Sequence, residues 1–245
     1  WGYSLSQHRP VAQILRETAP HTALLSAAAL AIELVLGLAL GIAAARRAGS
    51  RFDHGLRALS LALWSLPTFW LGLMLLAAFA VALPLFPPGA MHSVDADGLG
   101  FGRRSLDLAW HLVLPAAAIG LPGAAATARF VRSTVLERLG EPFVQSARAR
   151  GLSERRVLWT HALRAGLAPI AQLAGLSLAA LLSGTIAVEV VFGWPGLGRA
   201  TYDALVARDY PLLLAGTALS AAFVLAGSFL AEALQAWLDP RLRDA

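Results

Sequence analysis

The 245 residues include no cysteine, no lysine and no asparagine. Without cysteine there is no disulfide and no thiolate metal site. Without lysine there is no Walker A loop, whose lysine holds the β/γ-phosphates, so the chain is not by itself a P-loop ATPase. All twenty basic residues are arginine. Lysine and asparagine share AT-rich codons, and their joint absence suits a GC-rich genome. Charge is scarce as well, at 14% against 57% hydrophobic residues, and the mean hydropathy is +0.62. That balance excludes an ordinary soluble domain. The net charge of +5 does not point to nucleic acid, because the arginines fall between hydrophobic runs rather than along one face.

What is abundant is long apolar sequence. Five stretches reach the length of about 20 residues that a hydrocarbon core requires. They are Thr22–Ala45, Ala58–Leu83, Leu106–Ala128, Ala165–Phe192 and Pro211–Leu238. Residues 1–21 are expected outside the membrane, and 22–245 form the spanning domain. Gly37 and Gly41, four apart, predict close helix–helix contact. Arginine sets the orientation. Arg46, Arg47, Arg51 and Arg57, eight arginines from Arg129 to Arg164, and Arg241 with Arg243 share one side, fourteen in all. The other side has six, so the positive-inside rule puts the first set in the cytoplasm. The N-terminus is then outside and the C-terminus cytoplasmic. An external start at Trp1, with no initiator Met, leads to the expectation of one further upstream span and six in the complete protein.

The cytoplasmic stretch Glu141–Ile170, EPFVQSARARGLSERRVLWTHALRAGLAPI, carries five of the arginines. It reads as two short helices joined at a hinge. Pro142 suits a first helical turn, Gly151 the left-handed residue after a helix end, and Ser153 the cap of the next helix. Phe143, Ala147 and Arg150 recur at i, i+4 and i+7 and predict a shared face. By composition alone a basic loop that only fixes topology is equally acceptable.

This stretch resembles the EAA loop of permease subunits of bacterial ABC importers. Gln145-Ser146-Ala147 stand at EAA, Gly151 at the glycine, and His161–Arg164 at the closing four residues. ARARGL and HALR are similar to the loop of the dipeptide/oligopeptide/nickel branch, the DppB type. Further matches run in order along the chain. They are Gly2-Tyr3-Ser4 with Arg9-Pro10-Val11, Ser65–Phe69, His111–Pro115, Ala128-Arg129 with Arg132-Ser133, Glu189–Gly198, Arg208–Pro211 and Asp239-Pro240-Arg241.

The resemblance implies an all-α integral membrane protein with the type I ABC importer permease fold, in a bacterial inner membrane. It implies as partners a paralogous permease subunit, two cytoplasmic ATPase subunits that bind the ATP, and an extracytoplasmic substrate-binding protein. No cofactor, metal or nucleic acid is expected. Substrates would be di- or oligopeptides, with nickel, glutathione or another small solute as the alternative. Within the loop at about 137–165, Phe143, Gln145, Ser146, Ala147, Arg148, Arg150, Gly151 and Leu152 would form the ATPase-coupling site. Apolar residues would fill a groove on the ATPase while arginines meet acidic rims.

Other residues keep two readings each. Glu33 lies mid-span, where an ionisable group marks either a pathway site or a helix-paired carboxyl. Glu189 belongs to EVVFGWPGLG and is a candidate for the outer gate; Glu232 faces water or headgroups. Trp194-Pro195-Gly196 reads as a plain external turn or a re-entrant lid. Arg208-Asp209-Tyr210 reads as an interfacial anchor or a receptor contact. His111 and His161 lack ligand spacing and suit structural roles. An intramembrane serine hydrolase at Ser183-Gly184 fails for want of a histidine at matching depth. A stand-alone secondary transporter is the weaker alternative, since no inverted repeat is visible.

Overall fold

A computed structural model describes residues 1–238, so Asp239-Pro240-Arg241 and Arg243 lie outside the described residues. Ten helices follow in order: α1 (Val11–Arg46), α2 (Arg51–Ser65), α3 (Thr68–Leu76), α4 (Phe101–Leu139) and α5 (Pro142–Ala149). Then come α6 (Glu154–Arg156), α7 (Leu163–Gly184), α8 (Ile186–Val191), α9 (Leu197–Val206) and α10 (Tyr210–Leu238). Two π-helical segments, Ala77–Ala82 and Val157–Ala162, continue α3 and α6.

α1, α4 and the stretch Tyr210–Leu230 of α10 are long and apolar enough to cross a membrane. The first span begins at Val11 rather than Thr22, because Val11, Ile14 and Leu15 pack against Leu197, Ala204 and Leu212. The second expected span is not one rod. α2 and α3 meet at 103°. Pro67 has no N–H to continue the ladder, and the residue before a proline is driven out of the α region; Leu66 accordingly has φ −83° and ψ 136°. The fourth expected span also divides: α7 ends at Gly184, and α8 is a separate short helix after Thr185. α7 is still about 33 Å long at 1.5 Å per residue, enough for a hydrocarbon core.

α1 and α4 form the central pair, and glycine makes it close. A Cβ on Gly37 would lie 2.6 Å from Thr127 Cγ2, and one on Gly41 would lie 2.7 Å from the Ala128 carbonyl. Gly120 repeats this from α4, 2.7 Å from the Ala29 carbonyl. The close pair foreseen from Gly37 and Gly41 is present, with α4 as its partner. Leu25, Ala29, Leu114, Ala118, Val188, Phe192 and Trp194 make the main buried cluster at one end of this pair. Near the other end, Arg132 of α4 grips the Asp53 carboxylate through Nε at 2.5 Å and Nη2 at 2.7 Å, which fixes the start of α2.

Candidate functional sites: a basic two-helix segment and a buried turn

α4 hands over to the basic segment at Gly140 and Glu141. Pro142 opens α5 as its first residue, where a missing N–H is harmless. The helix stops at Gly151, whose φ is +79°. Gly151 N donates to Arg148 O at 2.9 Å and Leu152 N to Ala147 O at 3.3 Å. That pair of bonds is a Schellman stop, with glycine at the left-handed position. Ser153 stands at the cap of α6, but its side chain makes no capping bond, contrary to the expectation.

The predicted face of Phe143, Ala147 and Arg150 does not hold together. Ala147 is fully buried with Val144 against Val157, and Leu139 and Leu152 pack on them. Phe143 and Arg150 are exposed. In an eight-residue helix laid on its neighbours, the i, i+3 pair Val144 and Ala147 takes the underside, so Ala147 packs within the chain and not on its outward side. The outward side is Phe143, Gln145, Ser146 and Arg150.

Arg148 is also committed within the chain. Its Nε and Nη2 donate to Glu154 at 2.8 and 3.1 Å, and Nη1 reaches the Leu139 carbonyl at 3.4 Å. The guanidinium holds the Glu154 carboxyl below its usual range. It therefore ties α5 to α6 across the hinge, instead of waiting for an acidic rim. Arg150 has no carboxylate in ion-pair reach among the described residues and bonds only the Ser146 carbonyl.

The stretch EVVFGWPGLG forms a buried turn against the start of the first span. Glu189 Oε1 accepts from Thr22 Oγ1 and Thr185 Oγ1, both at 2.7 Å, and Oε2 accepts from Arg199 N at 2.8 Å. Thr22 Oγ1 in turn accepts from Leu197 N at 2.7 Å. The first N–H groups of α9 have no partner within the helix, and these side chains supply one. Trp194 is fully buried and its Nε1 donates to the His21 carbonyl at 3.0 Å. His21 Nδ1 donates to the Pro195 carbonyl at 2.9 Å. Gly196 leaves room for the carboxyl, since a Cβ there would collide with Glu189 Oε2 and lie 2.6 Å from Thr22 Oγ1. Of the gate candidates, Glu189, Trp194, Pro195 and Gly196 are thus brought together.

Glu33 is not part of that group; eleven residues of α1 separate it from Thr22, about 16 Å. It is buried, and its Oε1 accepts from Thr127 Oγ1 of α4 at 2.9 Å and Ser177 Oγ of α7 at 2.6 Å. Its Oε2 lies where a Cβ on Gly123 would be. This is the helix-paired carboxyl, joining three helices.

Asp209 is fully buried, accepting from Ser4 Oγ, from Ser6 N at 3.1 Å and from Ser6 Oγ at 2.8 Å. Its Oδ1 receives Leu212 N at 3.3 Å, capping α10. Burial pushes this carboxyl up, but the bonds from Ser4 and Ser6 outweigh it and leave it well below the usual carboxylate range. Tyr210 beside it is exposed, as is Glu232.

His111 Nδ1 lies 2.8 Å from the Asp107 carbonyl, a helix-internal contact. Among the described residues no group of three His, Cys, Asp or Glu is placed to hold a metal. The side chain of Ser183 lies outside the described residues. Thr22, His21, Ser4, Thr127 and Ser177 were not legible as site residues. Their partners are 94 to 205 positions away, and only covariation among homologues would carry that signal.

Residues 37–244 match the family model described as binding-protein-dependent transport system inner membrane component. The chain is 34% identical over 233 residues to an oligopeptide transport system permease protein of Bacillus subtilis, covering 95% of this chain and 72% of that protein. It is 38% identical over 237 residues to a di/tripeptide transport system permease protein of Pseudomonas aeruginosa, covering 91% and 70%. A dipeptide transport system permease protein of Escherichia coli K12 is 34% identical over 258 residues, covering 99% and 76%. Among solved structures, a chain of the MetNI methionine ABC transporter in an inward-facing conformation superposes with a TM-score of 0.74. Sequence identity there is 16%, with 93% of this chain and 97% of that one covered, a likeness of fold.

Proposed function

The chain belongs to the family of binding-protein-dependent transport system inner membrane components, and we infer from that footing that it serves as one permease subunit of a peptide ABC importer. It is an all-helical inner-membrane protein with the type I importer permease fold. The observation that carries the peptide reading is the identity to di-, tri- and oligopeptide permeases over more than nine-tenths of the chain.

In this reading the subunit performs no covalent chemistry. Two partner ATPases bind and hydrolyse ATP, a paralogous permease completes the pathway, and a soluble receptor delivers the peptide from outside. The basic segment lies in the cytoplasm, where the arginine bias puts it. α5 presents Phe143, Gln145, Ser146 and Arg150 to an ATPase groove. Because α5 is strung between α4 and α7 and stiffened by Arg148–Glu154, ATPase closure is passed to both long helices as rigid-body motion. The turn at Glu189, Trp194, Pro195 and Gly196 seals the outer end.

Uptake of a radiolabelled dipeptide by cells that express the chain with its co-encoded partners tests the substrate class. Accumulation should depend on this subunit and be competed by unlabelled di- and tripeptides. Nickel or glutathione uptake without peptide uptake would overturn the peptide reading and leave the permease reading standing.

A further inference from the structure

Two adjoining cavities open where α1 meets the basic segment. One, of about 430 Å³, is bordered by Arg46, Arg155 and Trp159 together with the Arg148–Glu154 pair. The other, of about 390 Å³, shares Arg155 and Trp159 and adds Ser153 and Arg156. Arg148 and Glu154 cancel each other's charge. Arg46, Arg155 and Arg156 have no carboxylate in ion-pair reach among the described residues, so three positive charges around the two cavities are unmatched.

Depth and shape narrow what meets those charges. Arg46 is where the apolar run of α1 ends, which is the headgroup level of a bilayer. Trp159 is 49% exposed and sits on the π-helical segment Val157–Ala162, a geometry that recurs at functional sites. Tryptophan and arginine together are the side chains of the membrane interface. Ala45, Leu139 and Leu158 add apolar wall to the first cavity. None of Phe143, Gln145, Ser146 and Arg150, the outward side of α5, lines either cavity.

We propose that these cavities bind the headgroup of an anionic phospholipid, its phosphate held by Arg46, Arg155 and Arg156 beside the Trp159 ring. The proposal rests on the cytoplasmic placement of the segment given above. Basic pockets at the cytoplasmic ends of membrane helices take anionic headgroups through this combination of charge and apolar wall. A lipid held there contacts both the end of α1 and the segment that carries α5.

The test is lipid retention by the assembled transporter in vesicles of phosphatidylcholine with or without phosphatidylglycerol, counted by native mass spectrometry. Phosphatidylglycerol should be retained over phosphatidylcholine. Arg46→Gln and Arg155→Gln should each weaken that retention roughly fivefold. Arg47→Gln removes the same charge one residue away, over the Phe52 ring and outside both cavities, and should leave it unchanged. An equal loss with Arg47→Gln would show diffuse surface charge and overturn the site. Displacement of the lipid by inorganic phosphate alone would assign it to free phosphate. Loss of the ATPase subunits from Arg155→Gln, with lipid retention intact, would assign it to an acidic protein surface. Lipid counts do not depend on the transported substrate, so a failed peptide assay leaves this result standing.

Discussion

The hydroxyl of Ser4 donates to the carboxylate of Asp209, 205 residues away, and fastens the start of the chain to the start of its last long helix. Asp209→Ala should leave the buried Ser4 hydroxyl without its acceptor, at about 1–3 kcal/mol, while the donors of the exposed Ser6 turn to water. Ser4→Ala removes one bond and should cost about 1 kcal/mol. Thermal unfolding in detergent reads both, and equal melting temperatures for the wild type and Asp209→Ala would refute the clasp.

The same carboxylate gives a pH signature. Its folded-state pKa lies below the unfolded value of about 3.9. Its contribution is therefore complete above pH ~4 and is lost as pH falls towards the folded value. The stability gap between the wild type and Asp209→Asn should stay constant from neutral pH down to about 4 and narrow below that. A gap that closes already near pH 6 would point to another group.

Glu189 and Gly196 should behave as a fitted pair. Glu189→Ala strands two threonine hydroxyls and the Arg199 N–H, and Gly196→Ala pushes a methyl into the carboxyl. Each should loosen the outer turn. Because the chain has no cysteine, a single cysteine introduced at Pro195 reports this against a clean background, and its labelling by a water-soluble maleimide should rise in both variants. Unchanged labelling would mean that the turn is held by packing alone.

Glu33→Gln keeps the oxygen that accepts from Thr127 and Ser177 and should transport normally. Glu33→Ala orphans both hydroxyls, at about 1–3 kcal/mol each, and should reduce uptake while the subunit still assembles with its ATPases. Thr127→Ala combined with Ser177→Ala should recover part of the stability lost in Glu33→Ala, because no donor is then left unpaired. Equal uptake in Glu33→Ala and the wild type would remove any role for the three-helix tie.

At the basic segment the hinge and the brace separate. No atom lies within 4 Å of a Cβ on Gly151, so Gly151→Ala meets only the left-handed backbone penalty of about 1–2 kcal/mol. Gly151→Pro cannot adopt φ +79° and also loses the bond to Arg148 O; it should abolish uptake with insertion intact. Arg148→Glu sets two carboxylates against each other, and Arg150→Glu reverses an exposed charge; both should uncouple ATP hydrolysis from uptake. Wild-type uptake in Gly151→Pro would rule out the lever.

The hinge was legible because its causes are local: a proline at N1, a glycine at the stop, and a helix between them. The broken second span was only half legible. Proline alone does not decide, since Pro115 and Pro122 stay inside an unbroken α4 while Pro67 ends a helix. Pro115 and Pro122 are buried in the central pair, yet the exposed Pro20 also lies within the unbroken α1, so exposure of a proline is not what breaks a span. Periodicity placed Ala147 beside Phe143, yet which side of α5 turns inward depended on Val157, outside that helix. Glu189 stood out as a charge at the edge of an apolar stretch, but its partner Thr22, 167 positions away, left no trace in local pattern.

The fastenings at Ser4–Asp209, Thr22–Glu189 and His21–Pro195 bear on where the molecule can part. They stitch the leading ten residues, the top of the first helix, the short helix before the last one and the start of the last one into a single block. In the permease reading proposed above, this puts the passage at that end against the partner permease, because such a block moves as one body. Its 36-residue helix is about 54 Å long, and a tilt of about 10° about the stitched end sweeps the far end through about 9 Å. A small rocking at one surface of the membrane thus becomes a wide stroke at the other.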